Sequence, residues 1–277
     1  MGMASTFNDD LYVIRESLKK LRTAFFVLFL GSILTIIPLI DIVGSLLLFI
    51  GVILLIMGFG RLADSKMVNA RHYGSTRNWL IFNIIASLAV IVVSYYFLYV
   101  RVFSLIVSSL IVSGKPPSIP LSVLNESFLI AGASVAVITV IYVIAYLKIV
   151  ASLKFLSAEL SVPKLRGAST YLRVSIILFA LTAVILFPSL YFGLHYLATL
   201  SSGNSSITYA GNSAFLPIGI ILSAIPAAIA VPVIEIITAL VVEIITALVI
   251  EIVAYHGAYS GLDEFFELAD YKLGKRS

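Results

Sequence analysis

Six runs of apolar side chains, each broken off by charged or turn-forming residues, constrain this chain more than any other feature. They are Thr23–Ile40, Ile42–Phe59, Trp79–Val100, Phe128–Ile149, Val174–Leu197 and Phe215–Tyr255. An α-helix needs roughly 17–25 apolar residues to cross the hydrocarbon core of a bilayer. Lipid offers no partner for backbone N–H and C=O groups, so a spanning run has to satisfy them within its own helix. Composition agrees: 61% of the residues are hydrophobic, 12% are charged and the mean hydropathy is +1.11. Soluble domains carry about 25% charged residues. The expected fold class is all-α: a polytopic helical membrane protein with one membrane domain over residues 1–277. Asp9, Asp10 and Glu16 precede the first run and no small-residue cleavage site follows it, so no cleaved signal peptide is expected.

The basic residues set the orientation. Arg15, Lys19, Lys20 and Arg22 precede the first run, and Arg61, Lys66, Arg71 and Arg77 separate the second from the third. Lys148 at the end of the fourth run and Lys154, Lys164, Arg166 and Arg173 lie toward the fifth, and Lys272, Lys275 and Arg276 follow the last. One side thus holds 16 of the 18 Lys and Arg residues, leaving Arg101 and Lys115 opposite. Lys and Arg collect on the cytoplasmic side of membrane proteins. Six crossings of the cell membrane with both termini cytoplasmic satisfy this everywhere. The pI of 9.2 follows from the same distribution, so the bilayer is the expected partner and nucleic acid is not.

The runs pair as three hairpins at 23–78, 79–172 and 173–256, with a cytoplasmic tail at 257–277. Residues 8–22 place Leu11, Ile14, Leu18 and Leu21 at helical spacing between basic residues. They read either as an amphipathic helix on the inner surface or as an extension of the first span. Val102–Val112 is apolar but too short to cross, and reads as an outer interfacial helix or a continuation of the third span.

Gly44, Gly51 and Gly58 recur every seven residues in the second run. Seven residues are nearly two helical turns, so the three share one face. In lipid, small residues let helix backbones approach closely. The seam serves either self-association or packing against the first helix. The second helix of each hairpin ends alike: Gly58–Ala63, Ala151–Leu156 and Ala258–Asp263 each mix small residues with a leucine.

The first hairpin also carries a family resemblance. Leu30-Gly31-Ser32-Ile33-Leu34, Ile37-Pro38, Val43-Gly44, Ile50-Gly51 with Val52–Ile56, and Leu62-Ala63-Asp64 resemble the archaeal integral membrane family called domain of unknown function nine-nine-six. The likeness covers residues 21–75, and the long final run departs from the family's pattern. It implies an archaeal membrane protein and no particular activity.

The final run contains a repeat, VIEIITAL, VVEIITAL, VIEIVAYH, headed by Glu235, Glu243 and Glu251. Eight residues advance a helix by about 12 Å and turn it by about 80°. The three carboxylates therefore fan over about 160° instead of forming one file. A helix over residues 215–255 would be about 60 Å long, twice the hydrocarbon thickness. Two readings follow. A duplication pushes the helix inward, placing the glutamates in or beyond the inner interface. Alternatively, breaks at Pro226 and Pro232 make two crossings, giving seven spans and an outside C-terminus. An ionisable residue at bilayer depth marks a candidate functional site, so these three glutamates are the candidate proton or cation sites.

Other chemistry is not expected. The chain has no cysteine, and no phosphate-binding glycine loop, HExxH helix or GxSxG elbow occurs. Of His72, His195 and His256, only the first and last fall on one side, and Asp41 reads as a solvated turn residue. No cofactor and no metal are expected. The first functional reading is a non-enzymatic structural or accessory membrane component, associating with itself or with other membrane proteins. The alternative is a small channel or transporter that uses the glutamates.

Overall fold

The computed structural model describes residues 2–37, 40–94, 96, 121–202 and 227–272. They form six helices: α1 (Gly2–Leu34), α2 (Asp41–Ala63), α3 (Ala70–Ser94), α4 (Leu121–Leu160), α5 (Pro163–Ser202) and α6 (Ala227–Lys272). Each helix packs on the next in sequence, and α6 returns to α1, so the bundle closes as a ring.

Neighbouring helices are antiparallel throughout. Gly31 of α1 faces Leu48 of α2, and Gly58 faces Leu21. Gly60 of α2 approaches Arg77 of α3, while Gly74 approaches Ala63. Asn69 and Thr76, before and within α3, bond Glu159 and Ser152 of α4. Lys164 of α5 pairs with Glu264 of α6. Arg15 and Arg22 of α1 pair with Asp270 and Asp263 of α6. Alternating directions bring Gly2 and Lys272 to the same end of the bundle.

The protein is an all-α polytopic membrane bundle of three hairpins. Five stretches are long and apolar enough to span: Asp41–Ala63, Ala70–Val93, Gly132–Leu160, Pro163–Val184 and Ile244–Asp270. α1 is not among them, being apolar from Thr23 onward and charged before it. The alternative break at Pro232 does not occur: α6 runs unbroken from Ala227 to Lys272. Pro226 lies outside the described residues. A proline is tolerated in a membrane helix when neighbouring groups satisfy the freed carbonyl.

The packed core lies at the basic end of the ring. Phe25 of α1, Leu62 of α2, Tyr73 of α3, Leu156 of α4, Leu165 of α5 and Leu262 of α6 are all fully buried there. Toward the other end apolar side chains face outward, such as Ile85, Leu88 and Ile91 of α3 and Val137 and Val140 of α4. In water such a surface would drive association, and in lipid it is matched by its solvent.

α4, α5 and α6 hold 40, 40 and 46 residues, so they measure about 60–69 Å and overrun a 30 Å hydrocarbon core. α4 turns into α5 at Ser161, whose φ of 56° lies in the left-handed region. The Val162 N–H donates to the Ser157 carbonyl at 3.1 Å, which closes the end of α4 as a Schellman motif does.

Of the two readings of residues 8–22, the extension holds: they are part of α1 and not a separate surface helix. Residues 257–272 are not a tail: they continue α6, with Ala258, Leu262 and Phe266 buried. The reason is visible in their pattern, since those three recur every four residues and make an apolar stripe against α1 and α5. The stretch 102–112 lies outside the described residues.

Candidate functional site

α6 turns one stripe inward, marked by Ala247, Ala254, Tyr255 and Ala258, all buried. Glu251 sits on this stripe, one turn from Ala247 and one turn from Tyr255. The Tyr255 hydroxyl donates to Glu251 Oε1 at 2.5 Å. Across the ring, α4 carries Tyr142 and Tyr146, also one turn apart, with ring centroids 4.1 Å from each other. Glu251, Tyr255, Tyr146 and Tyr142 lie near one another, and of these Tyr255 and Glu251 are hydrogen-bonded.

This cluster crosses the interior between helices that α5 separates in the ring. Aromatic rings wall it on both sides. Phe25 of α1 lies 6.3 Å from Tyr255, and Phe179 of α5 lies 4.8 Å from Tyr142, centroid to centroid. Tyr146 and Tyr255 keep only 8% and 1% of their surface exposed. Tyr142 and Glu251 are partly exposed.

A phenol offers one donor and accepts in turn. Here the Tyr255 hydroxyl donates to the Glu251 carboxylate. Among the described residues no Lys, Arg or His forms an ion pair with Glu251. The Tyr255 phenol stands where a cation would ordinarily face a carboxylate.

No family model, curated protein or solved structure matches the chain. The resemblance of residues 21–75 therefore rests on the residues that carry it. What the arrangement can do has to be argued from its own chemistry.

The other candidates fall as follows. Glu235 and Glu243 lie on α6, and their side chains are outside the described residues. Tyr142 and Tyr146 belong to the fourth apolar run. The extra helix length is taken up by 257–272, which has partners of its own on α1 and α5.

Gly44, Gly51 and Gly58 all face α1: a Cβ there would lie 2.5 Å from Thr35 N, 2.6 Å from Leu28 Cγ and 2.5 Å from Leu21 Cδ2. His72 stacks edge-on to Phe155 of α4 and His256 lies against Phe29 of α1, so the structure does not bring the two together. The His195 side chain is outside the described residues. Asp41 is the exposed first residue of α2. Among the described residues no three His, Cys, Asp or Glu side chains converge as a metal site.

Sequence reasoning missed the three tyrosines. Their signal was present as two polar-tipped pairs at i, i+4, Tyr142 with Tyr146 and Glu251 with Tyr255, inside otherwise apolar runs. It also missed Glu159. This carboxylate accepts from the Asn69 backbone N–H at 3.1 Å, from Asn69 Nδ2 at 2.6 Å and from the Tyr73 hydroxyl at 2.7 Å. It fixes the N-terminus of α3 against the end of α4, where a negative charge meets the helix dipole favourably.

Proposed function

We propose that the chain is a non-enzymatic structural or accessory component of the cell membrane, with both termini cytoplasmic. The observation that supports this reading is the placement of the core. All six helices are packed at the basic end, and α4, α5 and α6 extend past the bilayer as a rigid platform. A platform of this kind suits the assembly of other proteins at the inner surface. Exposed basic residues such as Lys154 and Arg166 stand on it. The test is purification of the intact chain from its own membrane, with and without charge reversal at both positions. A stoichiometric partner that is lost from the double variant supports the reading. Elution of the chain alone under every mild detergent counts against it. The orientation is tested by a cysteine placed at Ser277, which an impermeant reagent should fail to reach in intact cells.

A second reading is favoured by Glu251. A carboxylate on the inward stripe of an apolar helix, hydrogen-bonded to the Tyr255 phenol and in no ion pair among the described residues, is the arrangement expected of a proton or cation site. On this reading the chain is a small channel or transporter. Glu243 and Glu235 stand about 12 and 24 Å farther along α6, away from the basic end.

A further inference from the structure

We propose that a cleft on the exposed side of α3 holds one anionic phospholipid of the leaflet at the basic end, its phosphate on Arg77 and Asn78 and its chain along Trp79 and Phe82. The site holds under either functional reading.

The cleft has a volume of about 230 Å³ and is lined by Asn78, Trp79 and Phe82. The Trp79 and Phe82 rings meet edge to face, with centroids 5.8 Å apart. Trp79 opens the third apolar run, directly after Arg71 and Arg77. Tryptophan collects at this depth, where headgroups give way to acyl chains. The occupant is a lipid and not a soluble acidic partner, because the aromatic wall lies inside the apolar run, where a partner from water does not reach.

The charged part of the site is held in advance. Arg77 crosses α2 at Gly60, where a Cβ would stand 3.2 Å from its Cδ and 3.9 Å from its Nη1. Its Nε donates to Asn78 Oδ1 at 3.1 Å, which ties the guanidinium to an amide that lines the cleft. Arg15, Arg22, Arg61 and Lys164 each meet a carboxylate, whereas Arg77 forms no ion pair among the described residues. Nη1, Nη2 and Asn78 Nδ2 carry further N–H donors, a set that suits the oxygens of a phosphate.

The apolar part continues from there. Phe82, Ile85 and Val92 follow Asn78 on one face of α3 at helical spacing, and all are exposed. The site thus passes from cation to amide to aromatic ring to aliphatic side chain, in the order in which a phospholipid passes from phosphate to glycerol to chain. Basic pockets at the ends of membrane helices take anionic headgroups. The unmatched charge of Arg77 selects a lipid of net negative charge over a zwitterionic one.

Trp79 is the chain's one tryptophan, so its fluorescence reads the cleft without a label. The experiment places the full chain in phosphatidylcholine vesicles and titrates in phosphatidylglycerol brominated on its chains, at constant ionic strength, with brominated phosphatidylcholine as the reference. Expected is half-maximal quenching at a roughly fivefold or more lower mole fraction of the anionic lipid, the preference that one basic residue confers near an anionic surface. Arg77→Gln should abolish this preference. Asn78→Ala changes an exposed side chain and should weaken it too, so the site stays testable if Arg77→Gln fails to fold. Arg173→Gln removes an equal charge at the start of the fifth apolar run and should leave the preference unchanged. Equal quenching by the two lipids, or a preference untouched in Arg77→Gln and Asn78→Ala, overturns the site. An equal loss in Arg173→Gln means attraction to the whole basic face and overturns it as well. Quenching abolished by added inorganic phosphate means that the cleft takes the free anion, and overturns the lipid as its occupant.

Discussion

At the scale of single residues, the tightest constraint lies where α2 meets α1. A Cβ on Gly51 would stand 2.6 Å from Leu28 Cγ, and Leu28 is itself 1% exposed. Gly51→Leu is therefore expected to destabilise the bundle by about 1–3 kcal/mol or more through overpacking. A thermal melt in detergent reads this directly, and oligomer size should not change, because the seam faces inward. The periodic glycines were legible as a small-residue face, but not the partner that uses it, since spacing carries no information about what approaches. Glu159 behaves differently. Its three hydrogen bonds join α3 to α4, so Glu159→Gln should cost about 1–3 kcal/mol, the range for bonds to a charged group. Hydrogen exchange at Asn69 and Ala70 would then rise ahead of the rest of α3. Nothing in the sequence near residue 159 announced this role, because its partners are 86 and 90 positions away.

At the scale of elements, each hairpin closes by the same device. Near the basic end its second helix offers small residues to the first: Gly58 to Leu21, Ser152 to Thr76, and Gly257 and Gly261 to Ala168 and Leu165. The likeness of the three segments was readable in the sequence, and close packing is its physical basis. The helix ends were harder to read. Apolar runs report where lipid is, and α4, α5 and α6 continue past the lipid on stripes such as Ala258, Leu262 and Phe266. The acids that complement these extensions, Asp263, Glu264 and Asp270, find basic partners on α1 and α5 that only the folded ring brings near. The turn between α4 and α5 offers a clean check. Ser161 holds a φ of 56°, which costs a side-chain-bearing residue about 1 kcal/mol relative to glycine. Ser161→Gly should raise stability by up to about 1 kcal/mol, offset in part by the greater freedom of glycine in the unfolded chain.

At the scale of the whole molecule, the ring depends on one contact between elements far apart in sequence. Phe25, Phe26 and Phe29 of α1 meet Tyr255, Tyr259 and His256 of α6. Arg22 also lies over the Tyr259 ring, 5.5 Å from its centroid. Cysteines at Phe29 and His256 should be joined efficiently by a short thiol-reactive crosslinker, and the chain has no cysteine to compete. A crosslink that forms only between molecules would mean that the seam joins two chains and the ring does not close on itself. That six helices would alternate in direction was legible from the charges; that the last would return to the first was not, because hydropathy orders spans along the chain and says nothing of their neighbours.

The seam also sets an order of events during synthesis. α1 leaves the ribosome before α6, so α1 has to wait in the bilayer with three phenylalanines uncovered while the four described helices between them are made. Arg15 and Arg22 wait as well, without Asp270 and Asp263. A chain released before its final helix is an open half-collar, carrying unmatched positive charge and an aromatic edge that any other nascent span can occupy.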